Sequence, residues 1–429
     1  MQLSVVIPAL NERENLAHLL PVLREVASSV APVHEIVVVD GGSTDGTPEE
    51  AVRHGARVLA QVEPGFGRAI WEGLHATRGE WVLTLDADGS HDPWYLPSLY
   101  ARRGEADVII ASRYVPCGGS EGPAYRGLLS RLLNRVASWA CSIPVRDSSG
   151  GFKLYRRSMF EEFALTSRDF NVQLEATILA IAHGYRVIEV PYTYKPRRTG
   201  ASHAKVLRYG LSFARSLFRI WRMRNTVLFC DYDERAFRSR IPLQKYWHRS
   251  RYRILKRLME DMRPTLDAGC GSAHFILAHP EIVGLDADRR KARFIRTCHR
   301  RTVVGSIRHL PFRSGSLAQV VSSEVIEHIP NKRVVLSELT RVIRPGGVLL
   351  VSTPEYGRGL WEPIERIYKL LIPGGYADEH ISRFRAEELQ GLLIELGMEI
   401  EHVERMLASI LFMRARKRSG PAEKPQGGT

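Results

Sequence analysis

The segment LTLDADGSHDP, residues 83–93, sets two carboxylates, Asp86 and Asp88, one residue apart where an apolar stretch ends. Such a pair suits a divalent cation bridging a diphosphate, because Mg2+ is held by one or two carboxylates together with phosphate oxygens. A second stretch able to do chemistry is LDAGCGSAHFI (266–276), where Asp267 precedes a turn containing Gly269 and Gly271, and Asp286 closes the next apolar run in GLDAD. Small residues there let the backbone approach a cofactor, and the acid accepts from ribose hydroxyls. His274 stands where the third glycine of GxGxxG would be, which disfavours a nicotinamide site. The five cysteines (Cys117, Cys141, Cys230, Cys270, Cys298) form no CxxC pair, so neither a disulfide framework nor a zinc site is indicated.

These residues need elements that bring them together. VVIPALNERENL (5–16) and IVVVDGGSTDGT (36–47) are apolar strands running into turn-rich loops. Strands at 3–8, 35–39, 57–60 and 81–85 alternate with helices at 13–27, 48–54 and 67–77, the pattern of a parallel sheet with covering helices. In such a sheet, ligands sit beyond the carboxyl ends of the strands, where these loops lie. A second βα series begins near residue 263. The expected organisation is therefore an α/β domain over 1–203, a basic amphipathic helix and linker over 204–250, a second α/β domain over 251–415, and a disordered tail over 416–429.

Charge is uneven. The net charge is +14, and residues 201–260 hold 15 Lys or Arg against 4 Asp or Glu. On a helical wheel Lys205, Arg208, Ser212, Arg215, Arg219 and Arg222 share one arc, while Val206, Leu207, Leu211, Phe213, Leu217, Phe218, Ile220 and Trp221 fill the other. A basic face opposite an aromatic-rich one describes a helix lying in the interface of an anionic membrane. No run approaches the roughly 20 apolar residues of a membrane span, and a strand and helix occupy the place of a signal peptide. The expectation is a cytoplasmic chain, peripheral on the cytosolic membrane face. Aromatics interleave with arginines in KYWHRSRYRILKR (245–257), but no recognition module accompanies them, so nucleic acid is not expected as a partner.

In order, VVIPALNERENL, VVVDGGSTDGT, GFGRAIWEGL, LTLDADGSHDP, ASRYVPCGG, DSSGGFKLYRR, QLEATILAIAHGYRVIEVPYTY and RRTGAS resemble a family 2 glycosyltransferase of the GT-A fold, a nucleotide-sugar-binding Rossmann-like domain. More narrowly they are similar to the dolichyl-phosphate mannose synthases and related polyprenyl-phosphate glycosyltransferases. The resemblance implies that Pro8, Leu10, Glu12 and Asp40 surround the nucleotide, and that Asp86 and Asp88 hold Mg2+ or Mn2+ at the diphosphate. It implies that Arg113, Arg126, Ser130, Arg197 and Arg198 face the acceptor phosphate or the diphosphate, and that Gln173 and Glu175 contact the sugar. A guanidinium pairs two phosphate oxygens at once. A phosphate monoester is already anionic at pH 7, so this nucleophile needs no strong base. The implied reaction moves a hexose, mannose under the narrower resemblance, from GDP-mannose or UDP-glucose to polyprenyl or dolichyl phosphate with inversion. Two alternatives stay open: another donor with a non-lipid acceptor, and a non-catalytic platform that binds membrane.

The later series, with VGSIRHLPF, VVSSEVIEHIP, RVIRPGGVLLVSTP and DEHISRF after the glycine-rich turn, resembles a class I S-adenosylmethionine-dependent methyltransferase, again Rossmann-like. This implies Asp267, Gly269 and Gly271 at the methionine part of the cofactor, Asp286 at its ribose, and Ser306 near adenine. The absence of an NPPY-type amine site favours an oxygen acceptor. His328 and His380 read as structural histidines before catalytic ones.

Overall fold

A computed structural model of the chain describes residues 1–197, 206–224, 226, 229–357, 361–363, 365–366 and 380–419. Arg198, Lys205 and the tail from 420 onward lie outside the described residues. The chain separates into two units, Met1–Arg224 and Asn225–Thr429.

The first unit begins β1 (Leu3–Ala9), α1 (Arg13–Val30), β2 (His34–Asp40), α2 (Thr47–Arg53), β3 (Arg57–Ala60), α3 (Phe66–Ala76) and β4 (Trp81–Thr84). It continues with α4 (Leu96–Ala101), β5 (Val108–Ser112), β6 (Gly119–Ser120), α5 (Ala124–Cys141), β7 (Lys153–Arg156), α6 (Val172–Ala182), β8 (Val187–Pro191), β9 (Thr193–Tyr194) and α7 (Val206–Arg224). Helix α1 forms because Leu16, Leu19, Leu20, Leu23, Val26 and Ala27 recur at helical spacing and bury one face against Leu3, Val5 and Ile7 of β1. Each fully buried leucine contributes about 1.5–3 kcal/mol. Across the sheet, a Cβ on Gly73 of α3 would stand 2.4 Å from Val6 Cγ1, so only glycine lets α3 lie this close to β1.

The seven strands follow the order β3-β2-β1-β4-β7-β5-β8. The sheet is not wholly parallel: β7 runs antiparallel to both β4 and β5, with Thr84 opposite Lys153. Alternating strands and helices leave strand direction open, since direction depends on the sheet edge at which the chain re-enters. The re-entry after α5 sets the turn at 147–151 beside the carboxyl end of β4, next to Asp86 and Asp88. Helix α7 docks on this unit through buried Phe213, Ile220 and Arg224.

The second unit opens with α8 (Tyr232–Phe237) and α9 (Pro242–Leu258), so part of the expected linker belongs to it. Then follow β10 (Thr265–Ala268), α10 (His274–Ala278), β11 (Val283–Asp286), α11 (Arg289–Arg296), β12 (Thr302–Val304), β13 (Leu317–Ser323), α12 (Lys332–Val342), β14 (Ile343–Pro354), α13 (Ala386–Glu395), β15 (Met398–Met406) and β16 (Ile410–Lys417). The last strand reaches two residues into the stretch that reads as a tail. The order is β12-β11-β10-β13-β14-β16-β15, parallel except for β16, which pairs antiparallel with β14 and β15. Both sheets reverse direction of growth beside their first strand, β1 next to β4 and β10 next to β13, where α/β sheets open a crevice for ligands.

Candidate active sites

At the carboxyl end of β4, Asp88 accepts from the Ser90 backbone N–H at 3.0 Å and from Arg197 Nη2 at 2.9 Å. Asp86 keeps about a third of its side chain exposed, with His91 Nε2 at 3.9 Å from Oδ2. His91 Nδ1 accepts the Asp86 backbone N–H at 2.9 Å, so the neutral ring carries its proton on Nε2, facing the carboxylate. Crowding by surrounding protein and the neighbouring Asp88 push the Asp86 carboxyl above its ordinary range. The Asp88 carboxyl is held below that range by Ser90, His91 and Arg197 against the opposing effect of burial. A Cβ on Gly151 would fall 3.5 Å from Asp86 Oδ1, so this glycine keeps the space over the carboxylate open.

Arg113 follows β5 and is gripped in a fork by the fully buried Asp147, with Nε to Oδ2 at 2.8 Å and Nη2 to Oδ1 at 2.7 Å. Its Nη2 also reaches Ser130 Oγ at 3.5 Å, and Arg113 and Arg197 both act on the charge of Asp86. Asp86, Asp88, Arg113, Ser130 and Arg197 are thus brought together. Arg126 is not among them: it lies exposed on α5, with Nε 3.1 Å from the Tyr125 hydroxyl.

Toward the expected nucleotide, Glu12 is fastened by its backbone N–H to Thr47 Oγ1 at 2.9 Å, and burial raises its carboxyl. The Asp40 carboxylate accepts the N–H groups of Gly42 and Ser43, each at 3.1 Å, and so also builds its own turn. Pro8 closes β1 one residue before its end, and Leu10 is exposed beyond it. Gln173 is buried, its Oε1 accepting from the Tyr155 hydroxyl at 3.1 Å. Glu175 differs from the expectation of a sugar contact. Its two oxygens accept from Thr166 N and Oγ1, Ser167 N and Arg219 Nη2, which occupies all four lone-pair sites and ties α7 to the loop at 166–167. The wheel's basic arc is therefore not all outward, since Arg219 and Ser212 serve this docking.

In the second unit, Gly269 has φ 79° and its Cβ would lie 2.5 Å from Val325 Cγ2. Gly271 N–H donates to Asp286 Oδ2 at 2.8 Å, and Asp288 N–H to Oδ1 at 2.8 Å. Asp267 is buried beside Asp286, and burial first, then that neighbour, push its carboxyl up to about 7. Ser306 is exposed in the turn after β12, its hydroxyl accepting Arg308 N–H at 3.2 Å. Asp233 of α8 caps the glycine-rich turn through Ser272, accepting its hydroxyl at 3.0 Å.

Asp147, His91 and Asp233 stand outside the site residues that the sequence singles out. Asp147 opens the DSSGG turn, and an acid leading a Ser- and Gly-rich loop was the available signal. Nothing local marks Asp233, which acts 39 residues away.

Residues 4–164 match the family model for glycosyl transferase family 2, and residues 266–351 match a methyltransferase domain. An uncharacterised glycosyltransferase of Mycobacterium tuberculosis is 32% identical over 203 residues, covering 46% of this chain and 88% of its own. The polyprenol monophosphomannose synthase of Mycolicibacterium smegmatis is 34% identical over 240 residues, covering 52% and 88%. Among solved structures, glucosyl-3-phosphoglycerate synthase of M. tuberculosis is 23% identical with a TM-score of 0.41, over 52% of this chain and 78% of its own. A methyltransferase of Thermotoga maritima is 18% identical with a TM-score of 0.36, over 41% and 95%. The chain thus belongs to glycosyl transferase family 2 through its first half and carries a methyltransferase domain in its second.

Proposed function

We propose that the first unit transfers a hexose, mannose in the reading we favour, from a nucleotide sugar to a polyprenyl phosphate with inversion. The second unit then methylates an oxygen of a related glycolipid or sugar, with S-adenosylmethionine as donor. The observation that carries the first reading is the convergence of Asp86, Asp88, Arg113 and Arg197 on one strand end. The donor set fits Mg2+ or Mn2+: two adjacent carboxylates, one of them part-exposed under the gap left by Gly151. Bound there, the ion would offset charge building on the departing nucleoside diphosphate. Arg113, locked by Asp147, aligns the acceptor phosphate, and Arg197 takes a diphosphate oxygen, so catalysis is alignment and electrostatics. The glycine-rich turn with Asp267 and Asp286 fits S-adenosylmethionine, because Gly269 and Gly271 leave the backbone bare at the sheet crevice.

Support for a lipid acceptor comes from the similarity to a polyprenol monophosphomannose synthase and from two exposed stripes. Helix α5 shows Leu128 (71% exposed), Leu132 and Trp139 (67%) to solvent, and α7 shows Leu211, Phe218 (62%) and Trp221. Neither helix contains an acidic residue, and their arginines would add about 1 kcal/mol each at an anionic surface. The chain would then work as a peripheral protein on the cytosolic face, and among the described residues no helix is long and apolar enough to cross a membrane. Incubating purified protein with labelled GDP-mannose or UDP-glucose and polyprenyl phosphate should give label in chloroform, and Asp88→Ala should abolish it. Label from no donor, or full activity in Asp88→Ala, sinks the assignment.

A further inference from the structure

The second unit contains a group of ligating side chains apart from the glycine-rich turn. Glu327 and His328 follow β13 in a helical turn at Ile326–His328, and His380 is brought to them by the segment ahead of α13. The ligand atoms of Glu327, His328 and His380 all lie within 4.8 Å of one another. The Glu327 carboxylate is fully buried: Oε2 accepts from Thr353 Oγ1 at 3.1 Å, whereas Oε1 has no hydrogen-bond partner among the described residues and stands 4.0 Å from His328 Nε2. A buried carboxylate oxygen without a donor is costly unless a cation completes it.

The surroundings hold this group in place. The Glu327 carbonyl accepts Ile381 N–H at 2.9 Å and Ser382 N–H at 2.8 Å, which fastens the His380 segment to the Glu327 turn. Tyr356 donates its hydroxyl proton to Glu365 Oε1 at 3.3 Å, and its oxygen lies 2.8 Å from His380 Nδ1. In the tautomer where the hydroxyl gives its proton to Glu365, His380 Nδ1 donates to the hydroxyl oxygen and Nε2 carries the lone pair that a metal ligand needs. A ring whose far nitrogen donates through a hydroxyl to a carboxylate is the usual support of a metal-bound histidine. The position also fits an acceptor site. Thr353 lies at the end of β14 and Tyr356 two residues beyond it, and Val325, two residues before Glu327, packs over Gly269 at the glycine-rich turn.

We propose that Glu327, His328 and His380 bind one divalent first-row metal ion, of the Mn2+, Fe2+, Co2+ or Zn2+ type, which positions a hydroxyl of the methyl acceptor; the role, though not the site, rests on the methyltransferase reading. Two imidazoles and one carboxylate leave coordination positions open and suit these ions better than Ca2+ or Mg2+. In the reaction the acceptor oxygen forms a bond to the methyl carbon, the carbon–sulfur bond breaks with its electron pair returning to sulfur, and the hydroxyl proton passes to solvent. Nothing is oxidised or reduced.

The test uses the full chain, stripped with chelator and titrated with Co2+ alone, in an Asp86→Asn, Asp88→Asn background that silences the first unit's carboxylates. Visible absorption should report one Co2+ per chain with nitrogen ligation, and His328→Ala and His380→Ala should weaken binding at least tenfold. Tyr356→Phe, which keeps every ligand and the packing, should weaken it about tenfold. S-adenosylmethionine binding, measured in parallel, should stay within threefold in all variants. Equal Co2+ binding by wild type and the histidine variants, or none by any, overturns the site. Co2+ binding with no cofactor binding keeps the site and removes the methyltransferase reading; the reverse keeps that reading and removes the site.

Discussion

Asp147→Asn tests the anchoring of Arg113. Asp147 is wholly buried and takes three hydrogen bonds from Arg113, through Nε, Nη2 and the backbone N–H. It also acts on Lys153, a buried ammonium that contacts the Ser148 and Gln173 carbonyls and the Thr177 hydroxyl. Removing one partner of such a pair costs about 3–5 kcal/mol, because a buried charge is left uncompensated. For a unit of this size each kilocalorie moves Tm by about 2–4 °C, so the expected fall is roughly 6–20 °C. The penalty depends on pH. Burial pushes Lys153 down to about 7 in the folded chain, against its ordinary value of 10.5, so stability rises with pH above about 7 and is flat below it. Without Asp147 the folded pKa falls further and the flat region begins lower. The cost of Asp147→Asn therefore grows by about 1.4 kcal/mol for each pH unit just below 7. Urea unfolding at pH 8.5 and pH 6 measures this. Combining Asp147→Asn with Arg113→Met removes the stranded guanidinium while the amide oxygen keeps the Arg113 N–H, so the double variant should be more stable than Asp147→Asn alone. A loss below about 0.5 kcal/mol, the level of ordinary surface substitutions, or a double variant less stable than the single one, refutes the reasoning.

Gly269→Ala forces a Cβ to 2.5 Å from Val325 at a positive φ, and should cost about 1–3 kcal/mol and weaken S-adenosylmethionine binding in calorimetry. That binding should also strengthen as pH rises from 6 to 8. Burial and then the neighbouring Asp286 push the Asp267 carboxyl up to about 7, and the cationic cofactor prefers its carboxylate form; a flat profile contradicts a cofactor contact for Asp267. Glu175→Ala leaves the Thr166 and Ser167 N–H groups without their acceptor and removes the carboxylate paired with Arg219, so stability should fall by about 1–3 kcal/mol. Flotation with anionic liposomes should be weakened by the combined Leu128→Ser, Trp139→Ser, Phe218→Ser variant at unchanged Tm, whereas Phe213→Ala, which opens the docked face of α7, should lower Tm.

Sequence alone determined the α/β architecture, because apolar runs of strand length ending in Gly- and Asp-rich turns, and helical spacing such as Leu16, Leu20 and Leu23, are local properties of the chain. It also determined that Asp86 and Asp88 lie at a strand end and that Gly269 and Gly271 stand in a tight turn between a strand and a helix. It could not give the direction of β7, which depends on where the chain re-enters after α5, and so could not bring Asp147 to Arg113. Nor could it separate the docked face of α7 from the exposed one: Phe213 and Phe218 both fall on the wide apolar arc, 140° apart at 100° per residue, and which end of that arc is covered depends on where the helix docks. The pairing of Glu327 and His328 with His380 across about fifty residues is likewise tertiary: a histidine becomes a ligand or a packing residue according to what the fold sets opposite its ring.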